Sequence, residues 1–163
     1  MLEYSPSSGK RLTRKVNMQS FKGREKARRY AMQALYGWII ADSAITDVEA
    51  FYLADRNPKN YDVNYFLQLL HQIPAQVDDI DLELTPHLDR PFKSLDPIEL
   101  SILRIAIYEL KHSFDVPFRV VLHEAIELAK SFGAQDSFKF VNSVLDKAAK
   151  VLRMNETLES KAC

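Results

Sequence analysis

Arg24, Lys26, Arg28 and Arg29 bring four cations together near the start of the chain, a grouping suited to phosphate oxygens. Further along, Lys139 and Phe140 stand side by side, and a ring beside a cation can support an unstacked RNA base. Asp78, Asp79, Asp81 and Glu83 could hold a metal or share a proton. They are so close in sequence, however, that on a helix they face different ways, and a solvated acidic face is the simpler expectation. His123-Glu124 opens like the zinc-protease signature, but Glu127 stands where the second histidine ligand belongs, so the motif fails. His71, His87 and His112 lie in separate segments without ligand spacing. Only four glycines occur, with no phosphate loop, dinucleotide fingerprint or Gly-x-Ser-x-Gly elbow. The chain is therefore not expected to be an enzyme or to carry a metal or cofactor; binding is the chemistry that remains.

Helices must position these groups, since no segment shows convincing strand alternation. From about Gly23, Ala27, Ala31, Ala34, Leu35, Trp38 and Ile39 make one apolar face running to about Ala41, with the four cations on the other side of its first turns. Cations at a helix N-terminus oppose the helix dipole by roughly 0.3–1 kcal/mol each, so an anionic partner explains the cluster better than folding does. A short helix is expected from Ile45 to about Asp55. A longer one starts near Val63 and runs through Phe66, Leu70, Ile73, Val77 and Ile80 to Leu84, kinked or broken by Pro74.

The clearest stretch runs from Leu95 to Leu152. Asp96-Pro97-Ile98-Glu99 is a strong helix start. Ile98, Ile102, Leu103, Ile105, Ala106, Ile107 and Leu110 then cover most of the circumference, leaving Ser101, Arg104, Tyr108 and Lys111 as a narrow polar strip. Such a helix should be central and buried. Glu109 falls inside the apolar arc, so an internal ion pair is expected for it. The next helix follows Val116-Pro117 and should end at Gly133 in a left-handed conformation. The last, capped by Asp136 or Ser137, carries Phe138, Val141, Val144, Leu145, Ala148 and Leu152 on one stripe. Phe140 lies about 100° from Val141, at the margin of the core or exposed for use. The sum is an all-α chain of about seven helices.

With 163 residues, 47% hydrophobic and 27% charged, the chain suits one compact domain or two small subdomains sharing a core. The zero net charge hides a gradient: charged side chains give +7 for residues 1–30, −8 for 31–99 and +1 for 100–163. Residues 1–20, with scattered basic side chains and no period, read as a flexible basic tail, and 153–163 as a C-terminal tail. The single cysteine, Cys163, permits no internal disulfide, no apolar run could span a bilayer, and no secretory signal is evident. A cytoplasmic protein is expected.

The runs Leu103-Arg-Ile-Ala-Ile-Tyr-Glu-Leu110, Asp115-Val-Pro117, Glu124-Ala-Ile-Glu-Leu-Ala-Lys-Ser-Phe-Gly-Ala134, Lys139-Phe-Val-Asn142 and Val144-Leu-Asp-Lys-Ala148 resemble the NusB family of transcription antitermination factors. Ala31-Met-Gln-Ala-Leu-Tyr-Gly-Trp38 is similar to that family's first helix, so the resemblance covers about residues 24–152. It implies a domain over 21–152 made of two small helical bundles, about 24–90 and 95–152, packed across each other. It also implies a non-enzymatic factor that binds single-stranded boxA RNA of ribosomal RNA leaders as a heterodimer with NusE, a ribosomal small-subunit protein. Other elongation factors and RNA polymerase would be indirect partners. Carried over residue by residue, the RNA surface would use Arg24, Lys26, Arg28, Arg29, Asp136, Lys139 and Phe140, and the NusE contact Tyr36 and Glu99. Without the resemblance, Tyr36 is an exposed or core-edge aromatic and Glu99 a member of a capping box. His87 stands where the family carries tyrosine, and Pro74 is unusual in the long helix. Two rivals are a NusB-like domain joined to an RNA methyltransferase, which would need a glycine-rich cofactor domain, and a helical scaffold that binds protein but no specific RNA.

Overall fold

A computed structural model describes the backbone of residues 6–161 and the side chains of residues 21–161. Helix α5 (Pro97–His112) is the element on which the others lean, and every residue from Leu100 to Leu110 in it is buried. Its start is fixed as the sequence requires: Asp96 Oδ1 accepts from the Ile98 N–H at 2.7 Å, and Pro97 occupies the first turn. Ser101, Arg104 and Tyr108 of the polar strip are buried and Lys111 is half-buried, and each of the four has a partner. Ser101 donates to the Pro97 carbonyl, Arg104 makes two hydrogen bonds to Asp81, Tyr108 accepts from Gln68, and Lys111 reaches Glu83. Asp81 and Glu83 are therefore half-buried ion-pair members, while Asp78 and Asp79 alone keep the solvated role expected of all four.

The fold is all-α, two small bundles packed across each other. Helices α1 (Pro6–Ala41), α2 (Ile45–Asp55) and α3 (Val63–Ala75) form the first. Phe66, Leu69, Leu70 and Ile73 of α3 are wholly buried, each contributing about 1.5–3 kcal/mol by leaving water. Tyr30, Tyr61 and Phe66 pack edge to face, with ring centroids 5.0 and 5.8 Å apart. Arg56 closes this cluster, its Cζ 4.1 Å from the Tyr52 ring and 4.7 Å from Tyr30. Pro74 breaks the long helix as expected: α3 stops at Ala75 and α4 (Val77–Leu84) begins after Gln76, whose φ of −118° leaves helical geometry. Short 3₁₀ turns at Thr85–His87 and Phe92–Ser94 lead to α5. Helices α6 (Phe118–Phe132) and α7 (Ser137–Leu152) pack on α5 and on each other to make the second bundle.

Two helix boundaries and one terminating conformation depart from the sequence reading. Helix α1 starts at Pro6, so helical backbone extends into the segment read as a flexible tail; the side chains of Lys10, Arg11, Arg14 and Lys15 lie outside the described residues, as do residues 1–5 and Cys163. At the other end, Arg153 is buried and α8 (Met154–Lys161) follows it, where a tail was expected. The Arg153 guanidinium donates to the carbonyls of Leu110, Glu109, Ser113 and Val116 at 2.7–3.0 Å, gathering the open end of α5 and the following loop. Gly133 is extended, with φ −82° and ψ 170°, and not left-handed. Glycine is needed there for space: a Cβ would stand 2.7 Å from the Ala129 carbonyl oxygen and 2.9 Å from Ser137 Cβ.

Candidate nucleic-acid interface

The four cations of α1 separate into two kinds. Arg28 is only 2% exposed; its Nε and Nη2 donate to the two oxygens of Glu109 at 2.8 and 2.9 Å, and Tyr65 Oη donates to the same carboxylate at 2.6 Å. Burial alone would lower the Arg28 pKa, but Glu109 outweighs it and the guanidinium is held charged. Burial also pushes the Tyr65 phenol up, and the Glu109 carboxylate adds to the effect. Arg28 is thus the partner that Glu109 required, and its expected role as a surface phosphate ligand is corrected: the charge is spent inside.

Arg24 is half-buried. It pairs with Asp115 at 2.9 Å, approaches Asp62 at 3.9 Å, and lies over the Tyr65 ring. Lys26 and Arg29 are exposed and pair with no acid among the described residues. All four cations sit well inside α1, beyond the first turn where a helix dipole acts, so they do not oppose it.

The second group lies near the start of α7. Phe140 is 8% exposed, buried where the sequence left an exposed ring open. What covers it is Arg90, whose Cζ lies 3.9 Å from the ring centroid. Lys139 is exposed and pairs with Asp136 at 3.3 Å. Asp136 occupies the N-cap position of α7 in a left-handed conformation, φ 69°, yet its side chain accepts no capping hydrogen bond. Ser137 Oγ donates to Glu99 at the start of α5, whereas Arg28 is tied to Glu109 in the last turns of the same helix. Ten residues of α5 span about 15 Å. Phe140 and the α1 cations are therefore two patches toward opposite ends of α5.

A family model for the NusB family matches residues 25–150. The chain belongs to the NusB family. A transcription antitermination protein NusB from Alcanivorax borkumensis is 51% identical over 138 residues, 85% of this chain and 92% of that protein. The protein of the same name from Escherichia coli O139:H28 is 49% identical over 82% of this chain and 96% of its own length. Among solved structures, T. maritima NusB superposes with a TM-score of 0.66 at 29% identity, covering 78% of this chain and 90% of that one.

Within this NusB framework, Tyr36 is exposed on α1 and Glu99 is half-buried at the start of α5. Glu99 does not close a capping box: one oxygen accepts from Ser137, and the other, Oε2, is buried with no hydrogen-bond partner among the described residues. Burial raises its pKa, Asp96 adds to the rise, and Ser137 and Arg90 oppose it. His87 lies half-buried in the 3₁₀ turn that packs on α7. Sequence reasoning missed Arg90 and Arg153. Arg90 sits in a connecting loop with no periodic signal; Arg153 stands just past the last apolar stripe, and only its placement after that stripe could have hinted at a capping role. No helix among the described residues is long and apolar enough to cross a membrane.

Proposed function

We propose that this NusB-family chain acts without enzymatic chemistry, binding single-stranded boxA RNA of ribosomal RNA leaders as a heterodimer with NusE and so supporting processive transcription of those operons. The observation that carries the reading is the match to transcription antitermination proteins along nearly their whole length. The surface chemistry fits. Lys26 and Arg29 on α1 and Lys139 on α7 offer exposed cations to phosphates, Arg24 can exchange Asp115 for a phosphate, and Asp136 limits the positive field beside Lys139. Arg28 and Phe140 belong to this surface as supports beneath it. Tyr36 offers exposed ring area and a phenol, and Glu99 a half-buried carboxylate at the start of α5, both suited to a basic ribosomal protein.

The test is RNA binding by the full chain, with and without NusE, over a salt series. Each phosphate neutralised on a single strand contributes about −0.7 to the slope of log K against log salt. Lys26→Ala and Arg29→Ala should each flatten the slope by about that amount and weaken all sequences alike. A scaffold that binds only protein predicts weak RNA affinity indifferent to both substitutions, and that result would replace the RNA reading.

A further inference from the structure

We infer that Arg90 is a base-stacking residue of the RNA surface, presenting the outer side of its guanidinium to an unpaired base while its inner side rests on Phe140. The inference deepens the RNA reading above and depends on it.

Phe140 has little surface left to offer a base, because Arg90 Cζ stands 3.9 Å from its ring centroid, ordinary van der Waals contact. Arg90 keeps 43% of its side-chain surface open. With one side against the ring, that open area belongs to the opposite side and the edges. A guanidinium is planar and weakly hydrated, and it stacks on aromatic rings and on nucleobases alike. Phe140, Arg90 and a base would thus form three layers in which the cation serves both neighbours.

Orientation comes from Asp89, which accepts from Arg90 Nε at 2.9 Å. An exposed pair between adjacent residues adds little to folding, so stability gives a poor account of the arrangement. Pairing at Nε leaves the two terminal nitrogens for phosphate or base-edge oxygens. The surroundings are those of a strand path: exposed Lys139 on the same helix turn as Phe140, Lys147 close enough to help lower the Asp89 carboxyl, and His87 in the turn packed on α7.

The experiment uses the full chain with NusE and boxA-type RNA carrying 2-aminopurine at successive positions, comparing wild type with Arg90→Lys, Arg90→Ala and Lys26→Ala. Arg90→Lys keeps the charge and removes the plane. Stacking predicts an affinity loss of roughly 5- to 100-fold for Arg90→Lys, a salt slope that stays as in wild type, and relief of 2-aminopurine quenching at one position. A shared thermal midpoint shows that the fold is intact. If Arg90→Lys binds within two-fold of wild type with quenching unchanged while Lys26→Ala weakens binding, the stacking role is wrong and the RNA reading stands. If wild type itself gives no salt-dependent RNA binding, the RNA reading fails and takes this inference with it.

Discussion

Arg28 and Glu109, 81 positions apart in the chain, meet in the interior through two hydrogen bonds of 2.8 and 2.9 Å. The pair joins α1 to α5, and Tyr65 on α3 completes it. Removing one partner leaves the other charged and buried, at a cost of about 3–5 kcal/mol. Arg28→Ala should therefore lower the unfolding free energy by that amount in urea titrations, and Arg28→Lys should recover little because the fork geometry is lost. The double variant Arg28→Met with Glu109→Gln should regain most of the loss. If Arg28→Ala weakened RNA binding with no change in the urea midpoint, Arg28 would be a surface ligand after all.

Arg153 should behave as a structural residue although it follows the last family stripe. Its guanidinium gathers four carbonyls and pairs with Glu156 at 2.7 Å, and Glu156 in turn accepts from the Phe118 N–H that opens α6. Burial pushes the Glu156 carboxyl up, but the Phe118 N–H and Arg153 outweigh it and hold the pKa low. With charged hydrogen bonds worth about 1.5–3 kcal/mol each, Arg153→Ala should cost about 3 kcal/mol or more. Hydrogen exchange should quicken first at the C-terminal end of α5 and in residues 113–117. Unchanged protection there would refute the clamp.

Periodicity and start signals made most of the fold legible. The apolar circumference of α5, the Asp96-Pro97 start and the Pro74 break are local features, written into neighbouring residues. Glu109 was legible for a related reason: a carboxylate on an apolar arc demands a partner, even though its identity, Arg28, lies far away in sequence. That same partnership was invisible from the side of Arg28, which reads as one more cation in a basic run. Phe140 shows the same limit. Its angle on the helix placed it at the core's edge, but only tertiary structure brings in Arg90 from a loop.

Glu124 makes stability depend on pH in the less common direction. It is buried on α6, and burial raises its pKa; Glu25 and Glu109 add to the rise, while Arg28 and His123 oppose it. The folded chain therefore binds this proton more tightly than the unfolded chain does. The associated stability is fully present below the ordinary glutamate value, about pH 4.3, and is lost as pH rises through the raised folded value. Glu124→Gln removes that loss. The variant should match wild type near the acid end of the window and exceed it at pH 7 in denaturant titrations; a variant less stable than wild type at pH 7 would show that the charged form is favoured.

Asp136→Asn should tighten RNA binding without disturbing the fold. Asparagine tolerates the left-handed φ of 69° at this position as well as aspartate does, and the side chain it replaces makes no capping hydrogen bond. Asp136 is exposed and pairs with exposed Lys139 at 3.3 Å, a contact worth about 0–1 kcal/mol, so the thermal midpoint should barely move. Two electrostatic effects then act in the same direction: a carboxylate that repels phosphate is gone, and Lys139 is free to neutralise one. Affinity should rise by about two- to five-fold at low salt, with the salt slope steeper by about 0.7. Weaker binding would instead mean that the carboxylate accepts a hydrogen bond from the RNA, making Asp136 a contact and not a brake.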